Sequence, residues 1–140
     1  MSKLVHLIPL LMGAGFLILS AKIPVSPERR RPVVGIGFIS CGLCFWVSSA
    51  LLLVLGREYY LSVNVLMVVM PFAGLALFIP APAGSMRIDQ HRLPANILII
   101  LGAILGAAHG CALEFSTEWP ARLLAFYAHL GLHATPSPHA

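Results

Sequence analysis

Cys41-Gly42-Leu43-Cys44 places two thiols one helical turn apart, close enough to form a disulfide or to chelate a soft metal. A second set of polar side chains is scattered through apolar sequence: His6, Asn64 and His109, with Glu114 at the edge. Two histidines from different helices can ligate a haem iron or another metal, and such groups can also hold a quinone head. An ionisable residue inside a membrane span is a functional candidate by default. His109, His6 and Asn64 are therefore the candidate cofactor-binding residues, and Cys41 and Cys44 the candidate metal or redox pair. There is no phosphate loop, no HExxH and no GxSxG, and Gly35-Ile36-Gly37 follows no strand.

The elements that must position these residues follow from composition. Of 140 residues 59% are hydrophobic and only 10% charged, with a mean hydropathy of +0.90. An ordinary soluble domain carries about 25% charged residues. This balance excludes a cytosolic globular enzyme, a disordered tail and a nucleic-acid-binding domain. The charges fall between long apolar runs, leaving uncharged stretches over 4–21, 32–56, 59–86 and 93–113. About 20 apolar residues cross a hydrocarbon core about 30 Å thick, and backbone groups in lipid must be satisfied within their own segment. The expected fold is thus an all-α integral membrane protein, a four-transmembrane-helix bundle with helices at about 4–21, 33–55, 60–79 and 93–113. Runs such as Leu51-Leu52-Leu53 do not alternate as a membrane β-barrel would require. The first run also fits a signal sequence, but Leu19 occupies the position three residues before a cleavage after Ala21, where a small residue is wanted.

Charge asymmetry orients the expected bundle. Lys22, Arg29, Arg30, Arg31, Arg87 and Arg92 lie in the loops after helices 1 and 3, against Lys3, Arg57 and Arg122 on the other side. The positive-inside bias puts these two loops in the cytoplasm and both termini on the extracytoplasmic side. Gly56-Arg57-Glu58-Tyr59 is short enough to force an antiparallel hairpin, and Pro71 should kink the third helix.

Beyond residue 114, Ser116 or Thr117 can cap a further helix, with Trp119 at its start, Leu123, Leu124, Tyr127 and Leu130 on one face and Gly131 as its stop. This reads as an interfacial amphipathic helix over 115–132, followed by a mobile tail over 133–140. Within the fourth span Gly102, Gly106 and Gly110 recur at i+4, a glycine-zipper pattern that lets backbones approach closely in lipid.

With its four apolar runs, its size and the Cys41/Cys44 pair, the chain resembles two families of small membrane proteins. These are the four-helix quinone reductases that generate disulfides and the four-helix mercuric-ion transporters. The resemblance implies thiol–quinone chemistry or metal carriage at Cys41 and Cys44. The chain departs from both patterns: Cys111 is the one remaining cysteine, so there is neither a second pair nor a cysteine in a loop to pass an ion onward.

The spans carry no Asp, Glu, Lys or Arg, which argues against ion-coupled transport by this chain alone. The reading drawn from the sequence is a non-catalytic accessory or structural subunit of a larger membrane complex. Its partners would be the lipid bilayer and other membrane subunits or a second copy, with no nucleic acid and no obligate cofactor. The alternatives are a small oligomeric transporter or channel for a metal or small solute, a thiol–quinone oxidoreductase and a haem-binding protein.

Overall fold

A computed structural model of the chain describes residues 4–56, 61–80 and 89–133. All regular structure among them is helical, in five elements: α1 (Leu7–Lys22), α2 (Pro27–Val54), α3 (Leu61–Leu77), α4 (Asp89–Phe115) and α5 (Glu118–His129). Residues at the ends explain the boundaries. Ile23 precedes Pro24 and takes an extended conformation, since proline disfavours helical geometry in the residue before it, and this stops α1. Pro27 opens α2 at its first position, with Glu28 in the first turn complementing the helix dipole. Gly56, at φ 63°, closes α2 in the left-handed region. Gly131, at φ 84°, closes α5: its N–H donates to Ala128 O, and that of Leu132 to Tyr127 O.

Two boundaries differ from expectation for one reason. The helices expected at about 33–55 and 93–113 begin earlier, at Pro27 and Asp89, so that Pro32 and Pro94 lie inside them. Proline removes one backbone bond, and that loss does not stop good helix formers such as Glu28 and Arg29–Arg31 from extending the helix backward.

Among the described residues two helices are long and apolar enough to cross a membrane, Pro27–Val54 and the Leu93–Phe115 part of α4. The expected set of four full-length spans is therefore not what the helix lengths give. α1 has 16 residues and α3 has 17. At 1.5 Å per residue they reach about 24–26 Å, short of a hydrocarbon core of about 30 Å.

Packing follows chain order. α1 packs on α2, α2 on α3 and α3 on α4, while α5 makes smaller contacts with α2 and α4. Among the described residues α1 and α4 share no broad contact, so the helices form a row rather than a closed bundle. Neighbours run antiparallel. Gly13 of α1 faces Cys41 and Cys44, and Gly37 of α2 faces Ser20. Gly35 and Gly74 meet where α2 crosses α3, and Gly42 meets Pro71 further along the same pair. A Cβ at Gly35 would stand 2.8 Å from Gly74 O, so only glycine permits this approach.

The interior combines small and polar residues, among them Cys41, Ser48, Ser49, Ala50, Asn64 and Ala76, with the larger Leu52, Leu53, Val63, Leu113 and Tyr127. Large aliphatic side chains point outward from the two edge helices, including Ile8, Leu11 (73% exposed) and Leu19 on α1 and Ile97, Ile100 and Ile104 on α4.

Candidate functional site

The polar residues gather at one end of the row. α1 brings its first turn, α2 its C-terminal half and α3 its start to the same level. Ser48 Oγ donates to the His6 carbonyl oxygen at 2.8 Å, and Ser49 Oγ donates to Asn64 Oδ1. All four residues are buried, Ser48 at 0% and Asn64 at 1% exposure. Adjacent serines on α2 thus bridge outward to both neighbouring helices. Each hydroxyl would cost free energy if buried without a partner, so the two bonds fix the depth at which α1 and α3 sit against α2.

His109 lies at a similar level on α4, since the adjacent Gly110 faces Leu61 and Val65 of α3. Its partner comes from α5. Trp119 Nε1 donates to His109 Nδ1 at 3.3 Å, with the two rings edge-on and 6.1 Å apart. A neutral imidazole that accepts at Nδ1 carries its proton on Nε2, and that buried nitrogen has no acceptor among the described residues. His6 and Asn64 are therefore joined through Ser48 and Ser49 of α2, whereas His109 pairs with Trp119. The two histidines sit on helices that share no broad contact. Glu114 is exposed.

Cys41 and Cys44 face α1. Both thiols are free, Cys41 is buried and Cys44 half-buried. A Cβ built on Gly13 would lie 3.0 Å from Cys44 Cβ and 3.4 Å from Cys41 Sγ. A glycine thus covers the pair and offers no ligating side chain. Cys111 is free and exposed on α4. Among the described residues no three His, Cys, Asp or Glu side chains gather so as to hold a metal.

Gly102, Gly106 and Gly110 are buried on the face of α4 toward α3. Cβ atoms there would meet Phe72 at 2.5 Å, Val69 at 2.8 Å and Leu61 at 2.8 Å. On the other side of α3, Gly42 and Pro71 border an open groove of about 390 Å³, with Leu43, Trp46 and Met67 along its walls.

α5 folds back onto α2. Tyr127 is fully buried and clusters with Ala50 and Leu53, with Trp46, Leu123 and Leu124 packed around them. The Trp46 and Tyr127 rings stand edge-on at 5.9 Å. Trp119 and Leu130 remain exposed, as does Phe126. Of the two proposed caps it is Ser116 whose Oγ accepts from a helix N–H, that of Trp119, at 3.3 Å. Burial pushes the Tyr127 phenol above its ordinary pKa, and the neighbouring Trp46 side chain, which makes no hydrogen bond of full geometry to it, offsets part of that rise. No hydrogen-bond partner reaches Tyr127 Oη among the described residues.

Sequence reasoning did not single out Ser49, Trp46 or the burial of Tyr127 against α2. The signal for the first was present: Ser48-Ser49 is a polar pair deep in an apolar run. No protein-family model, no curated protein and no solved structure matches the chain.

Proposed function

We propose that the chain is a multi-pass integral membrane protein with four transmembrane helices, acting as a non-catalytic accessory subunit of a larger membrane complex. The observation that carries this reading is the outward face of the edge helices. Large aliphatic residues point outward from α1 and α4, while Ser48, Ser49 and Asn64 are buried between helices. Water would penalise such a surface, whereas in lipid, packing of small residues and interhelical hydrogen bonds is what holds helices together.

The direction of the helices supports four crossings. α2 and α4 run the same way, because each is antiparallel to α3. A chain that crosses twice in one direction must return between the crossings, and α3 is the segment that does so. α1 lies against α2 from His6 opposite Ser48 to Ser20 opposite Gly37, and so traverses most of the same depth. Residues flanking the short helices, such as Phe78 and Ile79 after α3, extend their apolar reach, and local thinning of the bilayer accommodates the rest. The two edge helices then meet either lipid or another subunit.

Purification of the native protein in a gentle detergent, with mass spectrometry of what accompanies it, tests the subunit reading. A stoichiometric partner is expected. A chain that elutes alone under every mild condition would remove the subunit role. The groove beside Pro71 favours a second reading, passage or binding of a small apolar solute between α2 and α3. A solute-dependent flux in liposomes containing this chain alone would select it.

A further inference from the structure

The end of the row opposite the polar belt carries an unbalanced charge beside a second groove. Lys22 closes α1, and Arg29, Arg30 and Arg31 lie in the first two turns of α2, all exposed, with Glu28 as the one acid in this segment. None of these cations makes an ion pair within the described residues, where Arg122–Glu118 is the salt bridge formed. No side chain caps the α2 N-terminus. Just past the Gly35–Gly74 crossing, the Phe78 ring lies across Gly35, where a Cβ would be 2.9 Å from its edge. Beyond that ring the helices part to leave a groove of about 410 Å³. Arg31, Glu28 and Pro32 form its α2 wall, and Leu77, Phe78 and Ile79 its α3 wall.

We infer that this groove is a binding site for one anionic phospholipid, its phosphate held by Arg31 in the positive field of Arg29, Arg30 and Lys22 and its first acyl carbons lying on Phe78 and Ile79. Charge selects the headgroup: Arg31 stands on the groove wall, and among the described side chains of this end Lys22, Arg29, Arg30 and Arg31 outnumber the single carboxylate of Glu28, at a level where anionic headgroups reside. The apolar wall selects a lipid over a free anion, because a phosphate alone would leave Phe78 uncovered.

The inference rests on the membrane reading above. The test uses the full chain in mild detergent, offered equal amounts of palmitoyl-oleoyl phosphatidylglycerol and phosphatidylcholine, with bound lipids counted by native mass spectrometry. One phosphatidylglycerol is expected to be retained in preference to phosphatidylcholine. Arg31→Gln should weaken that retention about fivefold, the worth of one cation near a headgroup. Phe78→Ala should weaken it as well, and Arg122→Gln, at the other end of the molecule, should leave it unchanged. Equal retention of the two lipids, or an undiminished preference in Arg31→Gln, would overturn the site. Loss in Arg31→Gln with full retention in Phe78→Ala would reduce it to surface charge and overturn the groove. Carbonate extraction of cell membranes separates the two claims. A chain that stays in the pellet without a lipid preference refutes the site alone, and a chain released into the supernatant refutes both.

Discussion

The Ser49–Asn64 pair shows what a single residue does in this interior. A buried hydroxyl and amide satisfy each other between α2 and α3, in surroundings where neither finds water. A double-mutant cycle of Ser49→Ala and Asn64→Ala, read by unfolding in a denaturing detergent titration, should give a coupling of about 0.6 kcal/mol and no more than about 1.7 kcal/mol. A coupling of zero would mean the two groups do not rely on each other. The thiols make a second residue-scale prediction. Cys41 and Cys44 are covered by Gly13, whereas Cys111 points outward. A lipid-permeable maleimide should modify Cys111 fastest and Cys41 slowest in the native protein, and all three cysteines after denaturation. Native modification of Cys41 as fast as that of Cys111 would show that α1 opens away from α2. Which residues were polar was legible in the sequence, but not which of them meet. His6 and Asn64 are joined through two serines that apolar periodicity does not single out, and His109 turns to a tryptophan ten positions later in the chain.

Each gap between charges holds a helix, because a long uncharged apolar run satisfies its backbone most simply within itself. The helix starts were not readable in this way, because Pro32 and Pro94 mark helix openings by propensity while the chain tolerates them one turn further in. Glycines separate the two influences. A Cβ at Gly74 would stand 2.7 Å from Gly35 O, a backbone atom that cannot turn aside, whereas Gly15 has nothing within 4 Å. Gly74→Ala should destabilise the fold by about 1–3 kcal/mol. Gly15→Ala, on an open helix face, should be neutral or stabilise by up to about 1 kcal/mol. Detergent unfolding midpoints of the two variants check this, and equal effects would show that α2 and α3 do not cross there. The fifth helix adds a pH dependence. Burial raises the folded-state pKa of Tyr127 above the ordinary 10.0, so the phenolate is disfavoured when α5 is docked. The docking contribution is complete below the ordinary pKa and is lost as pH rises through the raised one. Tyr127→Phe should keep α5 docked, because the hydroxyl has no hydrogen-bond partner to lose. It should also abolish the loss of stability at alkaline pH, and a melting-temperature series from pH 7 to about 11.5 reads both effects. An unchanged alkaline loss in Tyr127→Phe would assign that loss to another group.

At the scale of the molecule, the question is how many times the chain crosses. Helix length alone picks out α2 and α4, yet these run in the same direction. Two parallel crossings without a return are topologically impossible, so either α3 also crosses or one of the long helices does not. The row geometry favours the first choice, because α3 lies between α2 and α4 along its length, with Gly42 and Gly106 facing its middle from either side. The same reasoning applied to α1 places Leu4 at the level of Ser48 and Asn64, and Lys22 at the far end with Arg29–Arg31. On the proposed four crossings, Leu4 and Arg122 would lie on one face of the membrane and Lys22 on the other, with the arginine-rich end inside by the positive-inside rule. In a chain whose native cysteines are replaced, Leu4→Cys and Arg122→Cys should react with a membrane-impermeant maleimide applied to intact cells. Lys22→Cys should react only after the cells are opened. If α1 lay along the surface instead, Leu4→Cys and Lys22→Cys would label from the same side. That pattern would leave α2, α3 and α4 as the crossings and would place the two ends of the chain on opposite faces.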